Sequence, residues 1–358
     1  MRHKSYKLLV LMVSVLVLFS ALALNAGTSK RRGTAGAMEL LIPVGSRGTA
    51  LGGNLTAAVS GVEAMYWNPA GMASTDYTAE VQASHMRYIA DINLNYAAIQ
   101  GAFPGIGVFG LSMKTLDFGD IPITTEGAPD GTGEMFSPSF VTIGLSYSRA
   151  MTDRIFFGFT TKLVSESIVN TSANGVAFDF GVQYKSDIGL NLGVALRNLG
   201  TSMQFDGSDL ERRVYLPGYV DDPVSSQEDL RIASQAFELP TTMDIGLAYT
   251  YEIVEGHQIL AMGNFRNNHF GMDSYGAGLE YTFSMEGLRV CARGAASLAH
   301  DVEAEKFRFM DDDAIYGPSF GGGIYVKLAE NLHLTVDYAY QLTERFSDNQ
   351  WLTFMLGF

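Results

Sequence analysis

The chain has 358 residues, of which 17% are charged and 47% hydrophobic, and its formal net charge is −14. Soluble globular domains carry about 25% charged residues, and nucleic-acid binding needs a basic face, so this acidic, charge-poor chain excludes a nucleic-acid partner. Beyond the N-terminus no apolar run reaches about 18 residues, which removes a membrane-crossing helix. A membrane β-barrel has this bland average composition, because lipid-facing and lumen-facing residues alternate along each strand.

Taken in order, residues 1–26 read as a secretory signal peptide. Arg2, Lys4 and Lys7 give the positive start, residues 8–24 the apolar core, and Ala21-Leu22-Ala23 or Ala26 the small-residue cleavage site. A retained anchor is the alternative. Removal takes away those three positive charges and no acid, so −14 becomes −17. The single cysteine, Cys291, allows no intramolecular disulfide. With no His or Asp near it in sequence, it reads as a small wall residue rather than a nucleophile.

Residues 27–44 read as a solvated linker with a basic cluster, Lys30-Arg31-Arg32. Residues 45–72, GSRGTALGGNLTAAVSGVEAMYWNPAGM, are rich in Gly and Ala and nearly uncharged. They neither alternate nor carry a sustained helical stripe, so they read as an insert or plug, and 27–77 as linker plus hatch. Gly45-Ser46-Arg47-Gly48 allows a small anion-binding nest, against which stands close backbone packing. Pro69 and Gly71 are expected to turn the chain into the first strand, and the Asn68 side chain to cap that turn.

From residue 78 to 358 the pattern changes to period two. Leu332, Leu334, Val336, Tyr338 and Tyr340 oppose His333, Thr335 and Asp337, as on the two faces of a strand. About 14 such segments are expected, near 78–88, 92–103, 105–117, 136–149, 154–168, 175–185, 188–199, 240–252, 256–267, 272–284, 287–298, 318–328, 331–342 and 349–358. With the N-terminus in the periplasm, every long connection (118–135, 200–239, 299–317) falls on the outer side, the barrel pattern. Lys162, Asp179, Lys185, Arg197, Asp244, Glu280, Arg289, Arg293, Lys327 and Asp337 sit on the polar phase of their segments. They are expected to face the lumen, since a charge at mid-depth in lipid costs about 2–4 kcal/mol. His85, Arg87 and Arg266 are left unassigned by this phasing. Tyr147, Tyr184, Tyr249, Tyr251, Tyr281, Tyr338 and Tyr340 are expected near an interfacial girdle. The fold expected is all-β, a transmembrane antiparallel barrel with a hatch in its lumen.

Motifs for chemistry are absent. There is no phosphate-binding glycine loop, the six His lack metal spacing, and no catalytic triad has motif support; no enzyme activity, cofactor or metal is expected. The long loops are acidic: 118–135 carries −4, 200–239 −5 and 299–317 −4, which is −13 of the mature −17. Asp311-Asp312-Asp313 is a hard-cation candidate without EF-hand spacing, so solvated loop charge is the favoured reading.

The segment GSRGTALGG followed by GVEAMYWNPAG, with Gly45, Arg47, Ala50, Gly52, Gly53, Ala64, Tyr66, Trp67, Asn68, Pro69, Ala70 and Gly71, resembles the N-terminal signature of the PorV/PorQ family. That family lies within the FadL-like (OMPP1/FadL/TodX-type) group of outer-membrane barrels. The terminal strand, with Phe354, Leu356 and Phe358 on one face, resembles the signal read by the barrel-assembly machinery. The resemblance implies a 14-stranded barrel in the bacterial outer membrane, surrounded by outer-membrane lipid, with the Asn-Pro-Ala element in or beside a lumenal hatch. It further implies a non-enzymatic role in type IX protein secretion, binding exported proteins that bear a C-terminal signal domain and passing them to surface attachment machinery. The alternative it implies is a FadL-like channel for small hydrophobic molecules.

Overall fold

The computed structural model describes residues 31, 33–215, 227–301, 305–310 and 314–358. Residues 1–26, expected to be a signal peptide, Lys30 and Arg32, the stretch 216–219 and the aspartates 311–313 lie outside these residues. Fourteen long strands form the wall. The first seven are β1 Ala79–Arg87, β2 Asn93–Phe103, β3 Gly107–Asp117, β4 Ser139–Ala150, β5 Ile155–Ile168, β6 Thr171–Lys185 and β7 Leu190–Gly200. The rest are β8 Thr242–Val254, β9 His257–Asn268, β10 Asp273–Met285, β11 Leu288–Asp301, β12 Tyr316–Ala329, β13 Leu332–Thr343 and β14 Asn349–Gly357. Each pairs antiparallel with its neighbours in sequence, and β14 pairs with β1 from Gly357 opposite Glu80 to Gln350 opposite Arg87. The barrel is therefore closed, and no unpaired edge faces lipid. The last residue joins the seam, Phe358 N–H donating to Ala79 O at 2.9 Å.

Alternation places one side of every strand outward. Ile99, Leu111, Leu145, Leu163, Leu279 and Phe354 are 47–60% exposed on that side. An apolar belt of this extent is lipid-facing rather than solvent-facing. Phe103, Phe109, Tyr147 and Phe159 form a chain of ring contacts 5.0–5.8 Å apart near the short turns, as an aromatic girdle does. Tyr251, Tyr281 and Tyr338 are likewise exposed.

The long connections carry more structure than expected. Residues 118–138 hold a small hairpin, Ile121–Pro122 with Met135–Phe136, and the loop after β7 holds another, Glu211–Tyr215 with Gln227–Arg231. The linker expectation for 27–44 fails over its second half. Ala37 and Leu40 are buried in an apolar cluster with Val164, Ala173 and Ala177, and Ile42 and Val44 in the core of the hatch, while Lys114 Nζ donates to the carbonyls of Glu39 and Ile42, both at 2.6 Å. Apolar side chains at alternate or near-alternate positions could have signalled this.

Candidate functional site

Between the basic N-terminus and β1 the chain folds back into the barrel as a hatch. Its elements are short: a 3-10 turn Met38–Leu41, α1 Ser46–Ala50, a 3-10 turn Gly61–Glu63, α2 Ala64–Trp67 and a 3-10 helix Pro69–Ser74. Gly45 (φ 78) and Gly52–Gly53 (φ 61 and 75) bracket α1 in left-handed conformations that other residues adopt at a cost. Ala50, Leu51, Leu55, Ala57, Val59 and Met72 are fully buried. The hatch thus has an apolar core of its own, packed against the inner wall. Ser46 N–H donates to Thr353 Oγ1 at 2.9 Å, so the Gly45–Gly48 backbone is packed against β14 rather than forming an anion nest.

The wall is shaped to receive it. A Cβ built at Gly181 would lie 2.0 Å from Asn68 Oδ1, and one at Gly158 would lie 2.4 Å from the Pro69 backbone. The small residues of the inner strand face are where the hatch backbone touches the wall.

Two anchors hold the hatch. The first is ionic. Arg47 presents Nε and Nη2 to the two oxygens of Glu280 at 2.9 and 3.0 Å, and Nη1 to Glu63 at 3.5 Å. Glu280 also accepts from Arg293 Nε at 2.5 Å, and Arg293 continues to Asp337. The result is a buried chain of alternating charge, Glu63–Arg47–Glu280–Arg293–Asp337, that joins the hatch to β10, β11 and β13. Burial pushes the Glu63 carboxyl above its ordinary range, with Arg47 opposing.

The second anchor is neutral. Asn68 Oδ1 accepts from Ala70 N–H at 3.2 Å, capping the helix that starts at Pro69. Its Nδ2 donates to Thr56 O at 2.8 Å, within the hatch, and reaches Val182 O and Val194 O of β6 and β7 at 3.3 and 3.4 Å. The cap was legible in the sequence; the link to the wall was not. Pro69 does not turn the chain into β1. It opens a 3-10 helix packed on β4, β5 and β6, and β1 begins only at Ala79.

Between the anchors lie Tyr66 and Trp67, ring centroids 4.9 Å apart and edge to face. Tyr66 Oη donates to Ile42 O at 2.8 Å. Arg197 stands over both rings at 5.4 and 5.8 Å, and Lys114 Nζ over Tyr66 at 5.2 Å. These buried cations grip the aromatic pair through its ring faces.

The ten charged positions expected in the lumen divide into two groups. Lys162, Asp179, Arg197, Asp244, Glu280, Arg293 and Asp337 are buried, paired as Lys162–Asp179 and Arg197–Asp244 besides the chain above. Lys185, Arg289 and Lys327 lie near the short turns and are more open, with Lys185 over Phe156 and Arg289 over Tyr325. Phe354 and Phe358 are 47% and 48% exposed on the outer face; Leu356 is half-buried. Sequence reasoning missed Lys114, although its phase in β3 was polar, and Gln183, whose Nε2 donates to Thr56 O and Val59 O at 3.1 and 3.0 Å. It left Arg266 unassigned; its Nε donates to Asp244 at 2.7 Å.

The hatch separates two chambers. One, of about 780 Å³, lies toward the short turns and is walled by polar groups including Arg47, Glu63, Glu80, Arg289 and His333. The other, of about 320 Å³, lies toward the long loops and mixes Leu41, Trp67, Met272 and Tyr316 with Arg266 and Asn54.

This is the fold of a FadL/TodX-type 14-stranded outer-membrane β-barrel. The chain is similar to the toluene transporter TodX of P. putida, with a TM-score of 0.53 at 13% identity over 87% of this chain and 97% of that one. It is similar to the CymD monoaromatic hydrocarbon channel, with a TM-score of 0.52 at 11% identity over 88% and 97%. No family model and no curated protein sequence matches the chain.

Proposed function

We propose that the protein is a hatch-gated outer-membrane channel for small, largely apolar molecules, without enzymatic activity. The observation that carries this reading is the hatch itself: a plug held across the lumen only by non-covalent anchors, with a chamber on either side. The mixed lining of the loop-side chamber suits a molecule with an apolar body, which Trp67, Leu41 and Met272 would contact. Passage requires the hatch to shift, and Arg47 and Asn68 are the positions that resist it. The fold shared with a toluene transporter and a monoaromatic hydrocarbon channel supports the same class of permeant.

The test is uptake of toluene into liposomes carrying the purified protein. Faster entry than into protein-free liposomes, with a further rise for Arg47→Ala, is the expected result. Equal entry with and without protein, in both forms, overturns the reading.

A second reading, a secretion component of the PorV/PorQ kind, is favoured by the motif over residues 45–71 and by the acidic long-loop end. Recovery of exported proteins with a C-terminal signal domain on native pull-down from outer membranes would move the conclusion to it.

A further inference from the structure

The outer face of the seam where the barrel closes carries a feature that the lumen does not explain. Strand register aligns four lipid-side residues in each row across β14, β1, β2 and β3. The uppermost row, nearest the long loops, is Gln350, Arg87, Asn93 and Asp117. The next is Leu352, His85, Asn95 and Thr115, and the third is Phe354, Ala83, Ala97 and Met113. Polar side chains therefore descend from the rim onto the outward face, and below them two alanines lie between large apolar neighbours.

The consequence is a groove of about 370 Å³ in the wall, floored by Ala83 and Ala97 and flanked by Leu352, Phe354 and Met113. At its upper end His85 Nδ1 lies 2.9 Å from Asn95 Oδ1. Arg87 is exposed and, among the described residues, its guanidinium has no carboxylate partner. Asp117, the acid of the upper row, accepts from the N–H of Gly119 and lies two strands from Arg87. From the Arg87 row to the Phe354 row is roughly 13 Å of strand, the reach of a substantial part of an acyl chain.

We propose that this groove is a binding site for an anionic, phosphorylated glycolipid of the outer leaflet. Its phosphate is held by Arg87 and His85, and one acyl chain lies over Ala83 and Ala97. Charge complementarity selects the head: a guanidinium and an imidazole on the lipid side of the outer rim match a phosphate, and lipid alone would leave them poorly solvated. Shape selects the chain, because a Leu at either alanine would fill the groove. The site is independent of what passes through the lumen.

Native mass spectrometry of the detergent-purified barrel tests it, with bisphosphorylated lipid A and phosphatidylcholine as probes. Lipid A is expected to be retained under activation that strips phosphatidylcholine. His85→Ala with Arg87→Ala is expected to lower lipid A occupancy about tenfold. Ala83→Leu with Ala97→Leu is expected to lower retention of both lipids. The charge variant changes only exposed side chains, and heat-modifiable gel migration reports that each barrel is folded. Equal retention of the two lipids by the unmodified protein, lipid A retention untouched by the charge variant, or a second barrel copy occupying the seam instead of lipid would each overturn the proposal.

Discussion

The two anchors of the hatch differ in kind. At Arg47, a guanidinium shares Glu280 with a second arginine and meets Glu63, all substantially buried. At Asn68, an uncharged amide bonds only to main-chain groups, within the hatch and on the wall. The ionic anchor depends on three acids and two arginines remaining matched. The amide anchor depends on shape, since Gly158 and Gly181 must leave room for it. A plug held in these two ways has one end that charge can release and one end that only distortion can release.

Removing one partner of a buried pair leaves the other uncompensated, at a cost of about 3–5 kcal/mol. Arg47→Ala is therefore expected to have the largest effect, freeing the Arg47 end of the hatch, residues 45–55, for protease cleavage and raising single-channel conductance. Arg47→Lys should restore only part of the closure, because an ammonium cannot meet both oxygens of Glu280 in a planar fork. Conductance of Arg47→Ala equal to that of the unmodified barrel would mean that the ionic chain is not an anchor.

Asn68→Ala strands several main-chain partners and should cost about 1–3 kcal/mol. Hydrogen exchange should rise at residues 56–71 while the Arg47 end stays protected. Gly181→Val should produce the same pattern from the wall side. Exchange spreading evenly over the whole hatch in either variant would show that it opens as one unit and that the two anchors are not separable.

A pH effect is expected at the entrance to the hatch. Burial, and then the neighbouring Glu166, push Glu39 up to about 8 from an ordinary 4.5. The docked form therefore binds more protons than the undocked form between these values, so docking of the Met38–Leu41 turn weakens as pH rises from about 4.5 to 8. Proteolysis near residue 40 should accelerate over that window, and Glu39→Gln should flatten the dependence. The smallest effect belongs to the loop hairpin. Arg213 and Asp229 pair at 3.0 Å but are 69% and 56% exposed, so solvent screens the pair. Thermal stability unchanged in Arg213→Ala would mark the contrast with Arg47.

The wall was readable strand by strand because its information is local. A period-two pattern with apolar residues on one face assigns most strands and their facing, 78–88 and 256–267 phasing less cleanly, and the terminal Leu352, Phe354, Phe358 phase marks the closing strand. The hatch was readable as an exception to that pattern, and Asn68 as a cap, because Asn followed by Pro is a local helix start. What binds hatch to wall was not readable. Arg47 and Glu280 are 233 residues apart, and Asn68 and Val194 are 126 apart.

The amino-acid order alone points to an antiparallel barrel of about fourteen strands with a non-alternating segment before the first. The strands and the exception are set by side-chain spacing within short stretches, and the barrel by the alternation of short and long connections along the chain. It takes the assembled barrel to fix which cation meets which carboxylate, that Lys114 and Arg197 grip Tyr66, that glycines of the wall seat the Asn68 turn, and that Ala83 and Ala97 leave a groove outside. Those pairings depend on how the strands are aligned around the barrel, and no residue carries that alignment alone.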